Sequence, residues 1–259
     1  MINKPVFNFK KTKLNNKATL YTVNIENYDK EFSSFMDEKI VSICLPHNTK
    51  YDLSTIKKKI LKFLNSKNEQ SDGKANTIVV GYICEFIIHL FFSHLGFKQE
   101  FQFLNLEDGG AMKKGFDGVY SNKKIDWYLE SKSGGCDYDH KDKIKLGYID
   151  LIEKFSGKAQ NNPWFNALNH TKIVKSKKSL VDKIESLSYN FDNEIFVKID
   201  DFNIIPCSTI IFENQWKELN INEIKIMVNN LIAGFSYSSI IVVCINKKSL
   251  THFKAYLKS

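Results

Sequence analysis

The pattern of apolar residues predicts a mixed α/β sandwich, with a sheet flanked by helices. Three observations support this fold class. A long apolar segment at 76–94 has the length of a buried helix, and two strand-like runs with a polar turn between them follow it. A fully apolar run, "SSIIVVCI" at 238–245, is typical of a central strand. Helices that alternate with strands in this way build layered α/β domains.

The first 70 residues are predicted to form an N-terminal α/β accessory region, and 71–259 the main domain. "ATLYTVNI" at 18–25 and "KIVSICL" at 39–45 are predicted strands, and 52–67 is a predicted helix with lysines opposite its apolar face. The polar stretch 65–76 is the predicted joint between the two regions.

The main domain begins with the helix at 76–94, and Gly96 is well placed to end that helix. The remaining predicted elements are the strands 98–105, 116–120, 125–132, 194–199 and 208–213 and the helices 143–158, 162–179 and 221–235. The pair 116–120 and 125–132 is rich in aromatic and β-branched residues and predicts a hairpin.

Composition indicates a soluble globular protein whose charge suits a polyanionic partner. Of the 259 residues, 43% are hydrophobic and 25% charged, and the net charge is +8. The sequence contains no arginine. Lysine binds phosphate but lacks the bidentate fork that recognises guanine edges, so DNA binding is expected to show weak sequence preference. The codon bias of an AT-rich genome would produce the same excess of lysine.

Cysteine usage and the N-terminal residues predict a cytoplasmic location. The five cysteines are widely separated and form no Cys-x-x-Cys pair, which is typical of reduced thiols. The first residues, "MINKPVFNFKKTK", lack the apolar core of a signal peptide. The apolar segment 77–97 approaches the length of a membrane span, but Glu85 near its centre would cost about 2.5–3.5 kcal/mol in a bilayer. A buried helix with no membrane partner is therefore predicted.

The hairpin carries three candidate functional residues, namely Asp117, Glu130 and Lys132. Side chains alternate along a strand, so Glu130 and Lys132 share one face. A two- or four-residue turn would set Asp117 opposite Tyr128 and on the same face as Glu130 and Lys132. A three-residue turn would direct Asp117 to the other face.

Two converging carboxylates repel each other unless a cation lies between them. Mg²⁺ is the predicted ion, with Mn²⁺ as the alternative, because it binds one or two carboxylates and keeps waters and substrate phosphates. Lys132 could then orient the attacking water or offset charge on the phosphate. Glu85, in the middle of an apolar helix, needs a metal, a lysine or a proton, and is predicted to face the same ion. Phosphodiester hydrolysis is the predicted chemistry.

The segments "GYICEF", "GFDGVY" and "WYLESKS" together resemble the PD-(D/E)xK nuclease superfamily, whose core is a helix with an acid followed by strands with Asp and Glu-x-Lys. Over roughly 75–259 the chain more narrowly resembles HamA, the nuclease-subunit family of the Hachiman anti-phage system. The resemblance implies a restriction-endonuclease-like core, metal ligands Asp117 and Glu130, catalytic Lys132 and helix acid Glu85. It also implies a bacterial defence role with DNA as substrate and a helicase partner. Phe116 replaces the proline of the superfamily's name.

Each candidate also has a purely structural interpretation. Asp117 could be a turn or bulge residue before Gly118, and Glu130 and Lys132 could be exposed strand-end charges. Glu85 could be a protonated or lysine-paired core acid. The corresponding rival function is a non-catalytic subunit that binds nucleic acid or clamps a partner.

Other groups near these residues leave similar alternatives open. His89, one helical turn after Glu85, is a candidate metal ligand or a core histidine, and the loop 136–140 is a candidate metal site or a solvated loop. Lys154 and Lys158 are candidate phosphate contacts or solvated charges. Trp127 and Tyr128 are candidates for stacking on bases or for core packing.

Overall fold

A seven-stranded mixed sheet lies at the centre of the computed structural model, which describes residues 5–46, 50–67, 76–104, 115–213 and 215–259. The strands are β1 (Asn8–Lys13), β2 (Ala18–Ile25), β3 (Lys98–Gln99), β4 (Gly118–Asn122), β5 (Ile125–Gly135), β6 (Asn203–Ile211) and β7 (Ser239–Lys247). The helices are α1 (Lys30–Cys44), α2 (Leu53–Ser66), α3 (Thr77–His94), α4 (His140–Phe155), α5 (Pro163–Ile173), α6 (Lys178–Asp192), α7 (Ile221–Ile232) and α8 (Thr251–Lys258).

The strand order is β1-β2-β7-β6-β5-β4-β3. The inner strands β2, β7, β6 and β5 are parallel to one another, and the outer strands β1, β4 and β3 pair antiparallel. Strand β7 lies in the interior of the sheet and is buried from Ile240 to Lys247, which confirms the prediction of a central apolar strand.

Helices cover both faces of the sheet and confirm the α/β architecture. One face of the sheet, here called the α3 face, is covered by α1, α2, α3 and α8, which pack against residues such as Leu129 of β5. The opposite face, called the α4 face, is covered by α4, α5, α6 and α7, which pack against residues such as Tyr128. Consecutive residues of β5 therefore contact different helix layers.

Helix α3 forms as predicted because the sequence provides a capping residue at its start and a glycine just after its end. The side chain of Asn76 accepts a hydrogen bond from the backbone N–H of Ile78 at the start, and Gly96 adopts a φ of +75° just after the end. The helix is long and apolar enough to span a membrane. Phe86 and Phe91, however, are fully buried against the α3 face of the sheet, as expected for a core helix.

The N-terminal region shares the sheet and the core of the rest of the chain. Strand β2 pairs with β7 over its whole length, from Ala18 beside Ile240 to Ile25 beside Lys247. Helices α1 and α2 pack in the same hydrophobic layer as α3 and α8. The predicted division near residue 70 therefore separates segments of the chain and not separate cores. Residues 68–75 of the predicted joint lie outside the described residues.

Three predicted strands are wrong or much shorter than expected. The segment 39–45 belongs to α1, where Met36, Ile40 and Ile43 recur at helical spacing on the buried side. The segment 194–199 forms no strand and ends in a single 3₁₀ turn, Ile199–Asp201. Of 98–105 only Lys98–Gln99 is a strand, and residue 105 lies outside the described residues.

Candidate functional site

The turn of the hairpin sets the register of β4 and β5. Lys123 and Lys124 form a two-residue turn with φ angles of 48° and 70°, and Asn122 pairs with Ile125. The pairing is shifted by two positions from the predicted one, so Val119 and not Asp117 lies opposite Tyr128. The predicted even loop parity is confirmed, but the paired register ends at Gly118 and Leu129, and Asp117 precedes it. The register therefore does not assign Asp117 to a face of the sheet, and its carboxylate contacts the hydroxyl of Ser131, whose side chain alternates with that of Glu130.

Asp117 is held against β5 at the point where β4 begins. Its backbone N–H donates to the carbonyl oxygen of Leu129 at 3.1 Å. Its Oδ2 accepts hydrogen bonds from the backbone N–H of Ser131 at 2.8 Å and from the Ser131 hydroxyl at 2.9 Å. The carboxylate therefore has a fixed position beside the second strand of the hairpin.

Glu130 is a buried carboxylate that two lysines contact. Its Oε1 accepts from Lys132 Nζ at 2.9 Å, and its Oε2 accepts from Lys154 Nζ. Burial, followed by the negative charge of Asp117, raises its pKa from 4.5 to about 7, although the two lysines act in the opposite direction. Glu130 is therefore a core acid close enough to Asp117 for the two charges to interact.

Helix α4 completes this cluster from the α4 face. Asp150 Oδ2 lies 2.6 Å from Lys132 Nζ. Burial alone would lower the pKa of Lys132, but the attraction of Glu130 and Asp117 and the hydrogen bond to Asp150 outweigh burial and raise it. A Cβ on Gly147 would lie 3.4 Å from the carbonyl oxygen of Glu130, so the glycine permits the close approach of α4 to β5.

Sequence reasoning missed Asp150, and it interpreted Lys154 as either a contact for DNA phosphates or a solvated charge, whereas Lys154 contacts Glu130. The available signal was the spacing of Gly147, Asp150 and Lys154, which are three and four residues apart and so lie on one side of α4. Lys158, the other proposed phosphate contact, follows α4 and is exposed.

Glu85 approaches the hairpin from the opposite side of the sheet. Its Oε1 lies 3.2 Å from His89 Nε2, and His89 Nδ1 hydrogen-bonds the Tyr120 hydroxyl on β4. Burial raises the pKa of Tyr120, and the charges of both Glu85 and Asp117 raise it further. The structure thus brings Asp117, Glu130 and Lys132 together and sets Glu85 on the α3 face beside the same hairpin.

Gly118→Ala is expected to disturb this α3-face contact. A Cβ at Gly118 would lie 2.9 Å from Tyr120 Cε2 and 3.4 Å from His89 Cε1, in a closely packed core. We expect a loss of about 1–3 kcal/mol in the free energy of unfolding, measured by urea denaturation. Gly135→Ala is the matched control, because a Cβ there meets no atom within 4 Å. Equal stability of the two variants would contradict this expectation.

Polar side chains of the loop 136–140 form hydrogen bonds within the protein and are not grouped as metal ligands. Asp139 caps α4 by accepting the Asp142 backbone N–H at 2.8 Å. His140 is buried, with Nδ1 2.8 Å from Ser208 Oγ and Nε2 2.8 Å from Asn246 Oδ1. Among the described residues, no group of three or more His, Cys, Asp and Glu side chains is arranged to hold a metal ion.

The two aromatic candidates face different layers. Tyr128 is fully buried between Phe116 and Trp164, so it packs in the core of the α4 face. Trp127 is half-buried on the α3 face, where its ring lies 6.4 Å from that of Phe97. Only Trp127 of this pair can present its ring to a ligand.

Comparison with known proteins identifies no relative of this chain. No protein-family model matches it, and no curated protein matches it either. The chemistry of the cluster around Glu130 therefore carries the functional conclusion.

Proposed function

We propose that this chain is a Mg²⁺-dependent DNA nuclease with a restriction-endonuclease-like core. The observation that carries the proposal is the convergence of Asp117, Glu130 and Lys132 at the start of β4, with Glu130 buried and its pKa raised to about 7. Ionising Glu130 beside Asp117 is unfavourable, and a bound cation would remove that cost. Carboxyl groups whose pKa is raised by burial and by a neighbouring charge are concentrated at functional sites.

The donor atoms present fit Mg²⁺, with Mn²⁺ as the alternative. Asp117 and Glu130 would hold the ion through carboxylate oxygens, and two protein carboxylates are sufficient when water and substrate phosphate complete the shell. The chemistry that such an ion would supply there is polarisation of the phosphodiester and a lowered pKa of water. Glu85 would support the site from the α3 face.

Lys132 would act as a fixed positive charge. Its pKa lies above the ordinary value because Glu130, Asp117 and Asp150 stabilise the ammonium, so the side chain is protonated at neutral pH. A protonated lysine cannot accept a proton from water, but it can orient a water molecule and offset charge that develops on the phosphate. Asp150 would position Lys132 through their 2.6 Å contact.

The order of elements supports the proposed core. Helix α3 carries the acid Glu85, Asp117 immediately precedes β4, and β5 carries Glu130 and Lys132, which is the order in the PD-(D/E)xK superfamily. The net charge of +8 suits DNA. The resemblance to the Hachiman nuclease subunit extends the proposal to an effector of bacterial anti-phage defence that a helicase partner controls. Copurification with the product of a neighbouring helicase gene tests that extension.

One observation favours the alternative of a non-catalytic subunit that binds nucleic acid or clamps a partner. Both carboxylate oxygens of Glu130 already contact lysines, Oε1 to Lys132 and Oε2 to Lys154. The two lysines thus offset much of the negative charge of Glu130, Asp117 and Asp150 without a metal ion, as they would in a structural network. Under the nuclease proposal, the ion would share the oxygens of Glu130 with the two lysines or replace one of them.

The test is cleavage of supercoiled plasmid in Mg²⁺ or in EDTA. We expect the wild-type chain to cut the plasmid in Mg²⁺ but not in EDTA. The cleavage rate of Lys132→Ala should be at least about a hundredfold lower, because a preorganised charge is removed. Lys145→Ala is the control, since Lys145 is an exposed lysine of α4. Cleavage by Lys132→Ala at the wild-type rate would contradict the site assignment. Absence of cutting with retained DNA binding would favour the alternative.

A further inference from the structure

A second feature of the α3 face is an open groove of about 510 Å³ beyond the C-terminal end of α3. It lies between the β1–β2 turn and the β4–β5 turn, both at the same edge of the sheet. The lining side chains that matter here are Lys11, Tyr21, Lys17, Phe97, Lys123 and Trp127. Trp127 precedes Glu130 by three positions on β5 and points to the opposite face, so the groove is separate from the Glu130 cluster.

The groove is positively charged. Three exposed lysines line it, from β1 (Lys11), the β1–β2 turn (Lys17) and the β4–β5 turn (Lys123), and no acidic residue does. Within the described part of the chain none of the three forms an ion pair; the Lys11 ammonium lies 5.8 Å from the centre of the Tyr21 ring. These ammonium groups are therefore available to an anionic ligand.

The groove also offers aromatic surface. Phe97 and Trp127 are half-buried, and their rings meet edge to face at 6.4 Å. Aromatic rings beside lysines form the usual combination for single-stranded nucleic acids, because bases stack on the rings while phosphates follow the positive charges.

The spacing of the lysines favours a strand over a single phosphate group. The two turns are separated by the strands β2, β7, β6 and β5, which is three inter-strand spacings or about 14 Å. Successive phosphates of a strand can follow the lysines across this distance, with one ammonium group for each phosphate. We infer that this groove binds a single-stranded segment of DNA, with its phosphates on the three lysines and a base on Trp127. The inference goes beyond the proposed function, because this binding involves no cleavage.

Binding of a fluorescein-labelled oligothymidylate, measured by anisotropy in EDTA, tests the inference without interference from cleavage. The variant Lys11→Gln/Lys17→Gln/Lys123→Gln is compared with Lys58→Gln/Lys59→Gln/Lys62→Gln, which removes three exposed lysines from α2. We expect the groove variant alone to lose about tenfold or more in affinity. Its slope of log K against log salt should also fall by about 2, at roughly 0.7 per phosphate contact.

Tryptophan emission provides a second readout. The oligonucleotide should quench emission in the wild type but not in Trp127→Phe, and Trp127→Ala should lose about tenfold in affinity while Trp127→Phe retains most of it. Equal weakening of both lysine variants, or quenching that persists in Trp127→Phe, would overturn the inference. Equally tight binding of thymidine monophosphate would also overturn it. An inactive nuclease site would change none of these results.

Discussion

Glu130→Gln is expected to abolish DNA cleavage and, at the same time, to stabilise the fold above neutral pH. The folded-state pKa of Glu130 is about 7 against an ordinary 4.5, so the folded chain binds more protons than the unfolded chain between these values. Stability is therefore lost as pH rises from about 4.5 to about 7. At about 1.4 kcal/mol per unit, this loss is about 3 kcal/mol, and an uncharged glutamine does not incur it.

The measurement combines urea denaturation in EDTA with plasmid cleavage in Mg²⁺. At about pH 8, Glu130→Gln should exceed the wild type by about 3 kcal/mol in the free energy of unfolding, and the gain should vanish near pH 4.5. If Glu130 holds the proposed metal ion, and that contact contributes about 4 kcal/mol to the transition state, the variant should cleave about a thousandfold more slowly. Glu153→Gln, at an exposed position of α4, is the control. A variant that loses stability at pH 8 would identify Glu130 as a structural residue.

The titration of His140 is expected to change the free energy of unfolding with pH in the direction opposite to that of Glu130. Burial lowers its pKa from 6.5 to about 4, with only partial compensation from Asn246 and Asp139. The unfolded chain then binds more protons between pH 4 and pH 6.5, so stability is lost as pH falls from 6.5 to 4, by about 3 kcal/mol. His140→Gln should remove this loss.

The effects of Glu130 and His140 overlap between about pH 4.5 and pH 6.5 and should largely cancel in the wild type. Urea denaturation across this range should show a nearly flat wild type, a stability that falls with rising pH in His140→Gln, and one that rises with pH in Glu130→Gln. Parallel curves for the three proteins would refute this assignment of the two pKa shifts.

Local patterns predicted several elements correctly. The strand 18–25 was predictable from its aromatic and β-branched residues, and the helix at 76–94 was predictable because a cap and a terminal glycine bound an apolar run. The shared face of Glu130 and Lys132 followed from strand geometry alone. The common face of Asp117 was predicted from the turn. The Lys123–Lys124 turn preserved the parity but moved the register by two, and Asp117 lies before the paired part of β4.

Tertiary contacts determined the features that local patterns could not predict. The pairing of Asp150 with Lys132 and of Lys154 with Glu130 requires α4 to dock on β5, which Gly147 permits. The spacing of these residues indicates a common side of α4 but does not identify the strand that this side contacts. The separation of Glu85 from Glu130 by the sheet likewise depends on which face α3 covers.

The failed strand at 194–199 illustrates the limit of apolar composition. Ile195 and Phe196 are 57% and 44% exposed, so the segment's apolar residues do not mark a buried strand. Phe196 instead lies over Gly157, where its ring leaves no room for a Cβ, at the end of α4. Composition indicates apolar surface but does not specify the partner that covers it.

The pairing of β2 with β7 has a consequence for biosynthesis. Ala18 leaves the ribosome long before its sheet neighbour Ile240, so β2 cannot join the sheet until nearly all of the intervening chain has been synthesised. Contacts of such large sequence separation slow folding, because the closing of a long loop must precede any gain from the contact. Asp117 and Glu130 thus emerge into a nascent chain whose sheet is still incomplete. The rigid scaffold around Asp117 and Glu130 is therefore complete only late in translation. If the proposed nuclease activity is present, it would likewise arise only after most of the chain has been synthesised.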